Sequence, residues 1–100
     1  MNINPRMIME MQNRMQKIQE ELGETIVEGS AGGGMVTAQV NGLRQMHGIK
    51  ISPDAVDPAD VEMLEDMILA AVQDAMNNAE ELSAEKMGAL TGGMKIPGLM

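Results

Sequence analysis

Apolar residues at Ile8, Met11, Met15, Ile18 and Leu22 recur in alternating steps of three and four. That spacing predicts a helix with one narrow apolar seam. Asn4 stands where it can cap the helix, Pro5 fits the first helical position, and Gly23 stands where a C-terminal cap belongs, so the predicted helix spans 4–23. The period then falls to two. Thr25-Ile26-Val27-Glu28 is β-rich and is broken by Gly29-Ser30-Ala31-Gly32-Gly33-Gly34. Val36, Ala38 and Val40 alternate with Thr37, Gln39 and Asn41, which reads as a strand with one buried face. Asn41-Gly42 predicts a tight type I′ turn, and the return strand runs from about Leu43 to Ile51.

Ser52-Pro53 ends the sheet and caps a short turn. In Asp57-Pro58-Ala59-Asp60 the helix-start signature recurs, with Asp57 as the expected cap and Pro58 as the first helical residue. Val61, Leu64, Ile68, Ala71, Ala75, Ala79 and Leu82 form a second apolar stripe that runs to about Met87, where Gly88 stops it. At 1.5 Å per residue this helix is roughly 40 Å long, more than a three-stranded sheet needs for cover. The pattern predicts one α+β domain over 1–100: an N-terminal helix (4–23), a three-stranded antiparallel meander (25–51) and a long C-terminal helix (58–87). The tail over 88–100, with Gly92, Gly93, Pro97 and Gly98, reads as flexible. Two heptad-like seams, the second built on small Ala residues, call for a partner chain, and a second copy is the simplest one.

Composition narrows the chemistry. The chain has 100 residues, no Cys, one His, no aromatic residue and 13 Met, with a net charge of -8. Without Cys there is no disulfide framework, thiolate metal site or cysteine nucleophile. No apolar run approaches the ~20 residues of a membrane span. The N-terminus lacks a basic region followed by an apolar run, so no signal peptide is expected and a cytoplasmic location is the default. His47 has no adjacent orienting group and no carboxylate pair stands out, so no enzyme and no small-molecule substrate is expected.

Three further patterns have plain structural explanations. Gly29 and Gly34 have phosphate-loop spacing, but Met35-Val36 follows where Lys and Ser/Thr are required, and a strand follows rather than a helix. Asp54, Asp57 and Asp60 lack the central Gly and distal Glu of a calcium loop, and Pro53 and Pro58 interrupt them. Met7, Met9, Met11 and Met15 do not share one helix face, so packing explains them better than Cu(I). No metal or cofactor is expected. Arg6, Arg14 and Lys17 project to one side of the first helix, within roughly 80° of one another. Considered alone they read as a solvated face with Glu10–Arg14 and Lys17–Glu21 pairs. An acidic chain without aromatics is poorly suited to single-stranded nucleic acid, whereas duplex contact through a local basic patch is allowed.

In their order and spacing, several stretches carry a resemblance. They are Met11-Gln12-Asn13-Arg14-Met15-Gln16-Lys17-Ile18-Gln19-Glu20-Glu21-Leu22, Gly32-Gly33-Gly34-Met35-Val36, Asn41-Gly42 and Ile51-Ser52-Pro53. Glu62-Met63-Leu64-Glu65-Asp66-Met67-Ile68 follows, with Ala70-Ala71 and Asp74-Ala75 after it, and last Leu90-Thr91-Gly92-Gly93-Met94-Lys95-Ile96-Pro97-Gly98. The chain resembles the YbaB/EbfC family of bacterial nucleoid-associated proteins over about residues 7–98. The resemblance implies a tweezers-like homodimer that binds double-stranded DNA, alters its conformation, and serves nucleoid organisation and gene regulation without catalysis. It implies Arg14 and Lys17 as DNA contacts; Arg6, Arg44, Lys50 and Lys86 are added for their charge alone. Ile8, Met11, Met15, Ile18, Leu22, Leu64 and Ile68 form the expected dimer or core seam. Members of the family often carry extra Lys near the N-terminus, and some carry Arg after the Asp-Ala of the last helix. This chain has Asn2-Ile3-Asn4 and Met76-Asn77-Asn78 there. The alternative is a protein–protein adaptor whose Met-rich helix takes up an amphipathic partner.

Overall fold

A computed structural model of the chain describes residues 4–90. Helix α1 (Pro5–Glu24) starts as expected: Asn4 Oδ1 accepts the Arg6 N–H at 2.9 Å and Pro5 opens the first turn. Gly23 does not end it. The helix continues to Glu24, and Thr25 caps it, its N–H reaching Glu21 O and Leu22 O and its hydroxyl donating to Glu21 O at 2.7 Å.

The three strands form an antiparallel meander in the order β1-β2-β3: β1 (Ile26–Ala31), β2 (Val36–Asn41) and β3 (Met46–Ile51). Strand β1 runs straight through Gly29 and Ser30, where the sequence pattern places a break. Gly29 belongs in the strand because the long helix lies directly on it. A Cβ at Gly29 would fall on the backbone nitrogen of Ala75 and 2.6 Å from Ala71 O. The turn belongs to Gly32, Gly33 and Gly34, with φ of 65°, 67° and 93°.

Asn41-Gly42 does not form the expected two-residue turn. Asn41 is the last residue of β2, its N–H bonds Gln45 O at 3.0 Å, and the Arg44 N–H reaches Asn41 O at 2.9 Å. Residues 42–45 therefore connect the strands, and Arg44 takes the left-handed position at φ 64°. The cause is the buried Asn41 side chain. Its Oδ1 accepts the N–H groups of Leu43 and Gln45, and its Nδ2 donates to Gly23 O and Gln45 Oε1. It fixes the loop to the end of α1, and β3 starts at Met46 rather than Leu43.

Ser52 Oγ accepts the Asp54 N–H and caps a short 3-10 turn (Pro53–Ala55), as the sequence implies. Helix α2 (Val61–Leu90) begins later than expected. Asp57 closes the turn before it, accepting the Ala59 N–H at 2.9 Å, and Asp60 is the cap, accepting the Met63 N–H at 3.2 Å. Gly88 lies inside the helix, which continues to Leu90. The expected tail falls largely on residues 91–100, outside the described residues.

Packing explains the alanines. Ala71, Ala75 and Ala79 are fully buried in this protomer against Val36, Ala38 and Val40 of β2. Their spacing of four keeps them on one face, and their small size lets the helix backbone touch Gly29. The alanine stripe therefore does not call for a partner chain. Leu22 is buried, Ile18 is half-buried, and Leu64 and Ile68 pack against the core, so this part of the expected seam is satisfied within the protomer. Ile8, Met11 and Met15 stay exposed.

Two edges of the sheet differ. On β1, Asp74 Oδ2 accepts the Ser30 N–H at 3.0 Å and Asn78 Nδ2 donates to Glu28 O at 2.8 Å, so one turn of α2 ties off that edge. On β3, Met46, Ile49 and Ile51 pair with Val40, Ala38 and Val36 and share their face of the sheet. They are nonetheless 45%, 41% and 39% exposed, because α2 lies over β1 and β2 and leaves β3 uncovered.

Candidate nucleic-acid interface

Three of the six candidate cations come together. Glu21, Ile18, Lys17 and Arg14 of α1 line one wall of a groove of about 340 Å³, and Lys86, Ala89 and Leu90 of α2 line the other. The C-terminal end of α2 meets α1 here. Lys86 Nζ is 3.2 Å from Glu21 Oε2, and it is the one ion pair among the described residues. The local pairs Glu10–Arg14 and Lys17–Glu21 are not formed. Glu21 is taken by a lysine 65 positions away, and Arg14 and Lys17 stand exposed without an acidic partner among the described residues.

The other three cations are scattered. Arg6 is exposed in the first turn of α1, about 12 Å along the helix axis from Arg14. Arg44 sits in the β2–β3 loop, held beside the C-terminal end of α1 by the Gly42 N–H bond to Leu22 O. Lys50 is exposed on β3 opposite Thr37, on the sheet face away from α2. Asn78 Nδ2 is bonded to Glu28 O, and Asn77 Oδ1 accepts from Gln73 Nε2. Sequence reasoning missed the roles of Asp74 and Asn78. Their spacing of four on one helix face was the available signal, though nothing local shows that the β1 edge lies beneath it.

The groove brings Arg14, Lys17 and Lys86 together around Glu21, and Arg and Lys are side-chain types that bond phosphate oxygens. Among the described residues no group of His, Cys, Asp or Glu is placed to hold a metal ion, and no helix is long and apolar enough to cross a membrane.

The model of the YbaB/EbfC DNA-binding family matches residues 1–94. The chain belongs to the YbaB/EbfC family. It is a DNA-binding family, not an enzyme family. A nucleoid-associated protein of Chloroflexus aurantiacus is 55% identical over 89 residues, covering 89% of each chain. One from Alkaliphilus metalliredigens is 50% identical over 99 residues, covering 99% of this chain and 87% of the relative. An uncharacterised protein of Helicobacter pylori shares this fold at a TM-score of 0.77 and 21% identity, covering 91% of this chain and all of that one.

Proposed function

We propose that this chain is a nucleoid-associated protein that binds duplex DNA as a homodimer, bends or otherwise reshapes it, and acts in the cytoplasm on the nucleoid and on gene regulation. The observation that carries the reading is the groove between α1 and α2, where Glu21 is consumed by Lys86 while Arg14 and Lys17 remain available. Phosphate oxygens seat on Arg14 and Lys17; Arg6 extends the contact along α1. Arg44 in the β2–β3 loop and Lys50 on β3 add only general attraction. The family and the named relatives support DNA as the partner. The partly exposed apolar face of β3 supports the second copy: Met46, Ile49 and Ile51 lie on the core face of the sheet yet stay 45%, 41% and 39% exposed. Because the net charge is -8, binding relies on this local cluster and weakens steeply with salt.

Two measurements test the proposal. Anisotropy of a labelled duplex across a salt series should give a log–log slope of about 0.9 per phosphate contact. The Arg14→Glu, Lys17→Glu double variant should lose binding while keeping its helical circular dichroism. Light scattering should give twice the protomer mass. A well-folded dimer that does not bind duplex DNA at low salt refutes the DNA reading, and a protomer mass across the micromolar range refutes the dimer.

A further inference from the structure

Met7, Met9, Met11 and Met15 are four of the chain's 13 methionines, and they crowd into the outer half of α1. They are 60%, 63%, 48% and 38% exposed. Met7, Met11 and Met15, spaced by four, line one open trough with Ile8 and Gln12, while Met9 stands on another side of the helix. Packing against the rest of the described chain does not explain them. Met35, Met67 and Met76, by contrast, are half-buried against the core.

The segment that carries these four has little else to hold it. Every residue from Asn4 to Lys17 is exposed, and the first half-buried side chain of α1 is Ile18. Among them Arg14 and Lys17 border the groove with α2. A helix of ~14 residues is marginal in water without tertiary support. No acidic side chain stands in the first turn of α1 and no basic one in its last turn. Arg6 and Glu24 hold those places instead, so the macrodipole is opposed at both ends. What remains is the Asn4 cap, the high helix propensity of Met, Gln, Arg and Lys, and contact between apolar side chains four apart. Met7–Met11 and Met11–Met15 are such neighbours, so the methionines support the helix that displays them.

We propose that Met7, Met9, Met11 and Met15 are an oxidation site for hydroperoxides, and that their conversion to sulfoxides loosens the outer half of α1. The thioether sulfur attacks the peroxide: an S–O bond forms as the O–O bond breaks, the sulfur gives up two electrons, and the second oxygen of hydrogen peroxide departs as water. The product is polar and chiral where the thioether was apolar. Along the trough it ends the apolar contacts between turns, and the segment loses the support that offset its opposed dipole. Arg6 and Arg14 ride on this segment, so their positions loosen with it. A weaker grip on duplex DNA follows, and that last step rests on the role of Arg14 proposed above.

The test uses the full chain, hydrogen peroxide and three readouts. Peptide mass spectrometry should show the four methionines forming sulfoxide several-fold faster than Met35, Met67 and Met76. Amide hydrogen exchange over residues 8–17 should then quicken several-fold, with β2 unchanged. Methionine sulfoxide reductase supplied with dithiothreitol should restore slow exchange. The quadruple variant Met7→Leu, Met9→Leu, Met11→Leu, Met15→Leu keeps the helix propensity and cannot be oxidised there, so its exchange over 8–17 should not respond to peroxide. Met46→Leu with Met63→Leu removes the exposed methionines outside α1 among the described residues, and this variant should respond as the unmodified chain does. Sulfoxide formation no faster than at Met35, Met67 and Met76 overturns the proposal. So does unchanged exchange once the four are oxidised, or an equal response in the quadruple variant. Duplex affinity, the third readout, separates this site from the DNA reading. Exchange that quickens while affinity stays constant sustains the oxidation site and counts against Arg14 as a DNA contact.

Discussion

Glu21 and Lys86 are 65 residues apart in sequence and 3.2 Å apart in the fold, and their pairing decides which basic side chains on the arm are available. Glu21→Gln should raise duplex affinity and steepen the salt slope by about 0.9, because Lys86 is released to contact phosphate. Both partners are more than a third exposed, so the cost in stability should be below about 1 kcal/mol. Anisotropy against salt, with a thermal melt alongside, reads both. An unchanged slope would remove Lys86 from the interface.

Gly29→Ala should be among the most damaging single changes. The added methyl would meet the Ala75 and Ala71 backbone of α2, which cannot step aside like the end of a flexible side chain. The expected loss is about 3 kcal/mol or more, at the upper end of overpacking effects. Gly33→Ala meets nothing within 4 Å and suffers only from its φ of 67°, which costs about 1–2 kcal/mol. Urea unfolding followed by far-ultraviolet circular dichroism compares the two, and equal losses would contradict the close approach of α2 to β1.

Asn41→Ala removes a side chain that is 2% exposed and makes four hydrogen bonds. The N–H groups of Leu43 and Gln45 lose their acceptor. A loss of about 2–3 kcal/mol is expected, together with faster amide exchange in the β2–β3 loop. Slow exchange at Leu43 and Gln45 in the variant would show that the loop holds without Asn41.

Asp74→Ala combined with Asn78→Ala should release the outer edge of β1. The expected cost is about 1–2 kcal/mol for two partly exposed hydrogen bonds. The Ser30 amide should exchange markedly faster, while the Gly29 contact with α2 keeps the strand in place. If Ser30 exchange is unchanged, the tie contributes nothing.

Element types, their order and several caps were legible because the signals are local: Asn4-Pro5 at the start of α1, the alternation from Val36 to Val40, and Ser52-Pro53. What could not be read locally was decided by tertiary contact. Gly29 looks like a breaker until α2 is known to rest on it, and the alanine stripe looks like a dimer seam until β2 is placed beneath it. Asn41 reads as a turn residue, yet its side chain is drawn into the junction with α1. At the site, Arg14 and Lys17 were visible on one helix. Their freedom from acidic partners was not, because the residue that occupies Glu21 comes from the other end of the chain.

The unequal edges of the sheet bear on how large an assembly can become. A strand edge is a template for adding another strand. Asp74 and Asn78 block that template along β1, which leaves β3 as the free edge among the described residues. A protomer with one sticky side is monovalent for strand addition. Once two such sides meet, neither copy has another to offer, so growth by edge pairing stops at two and cannot run on into a fibre.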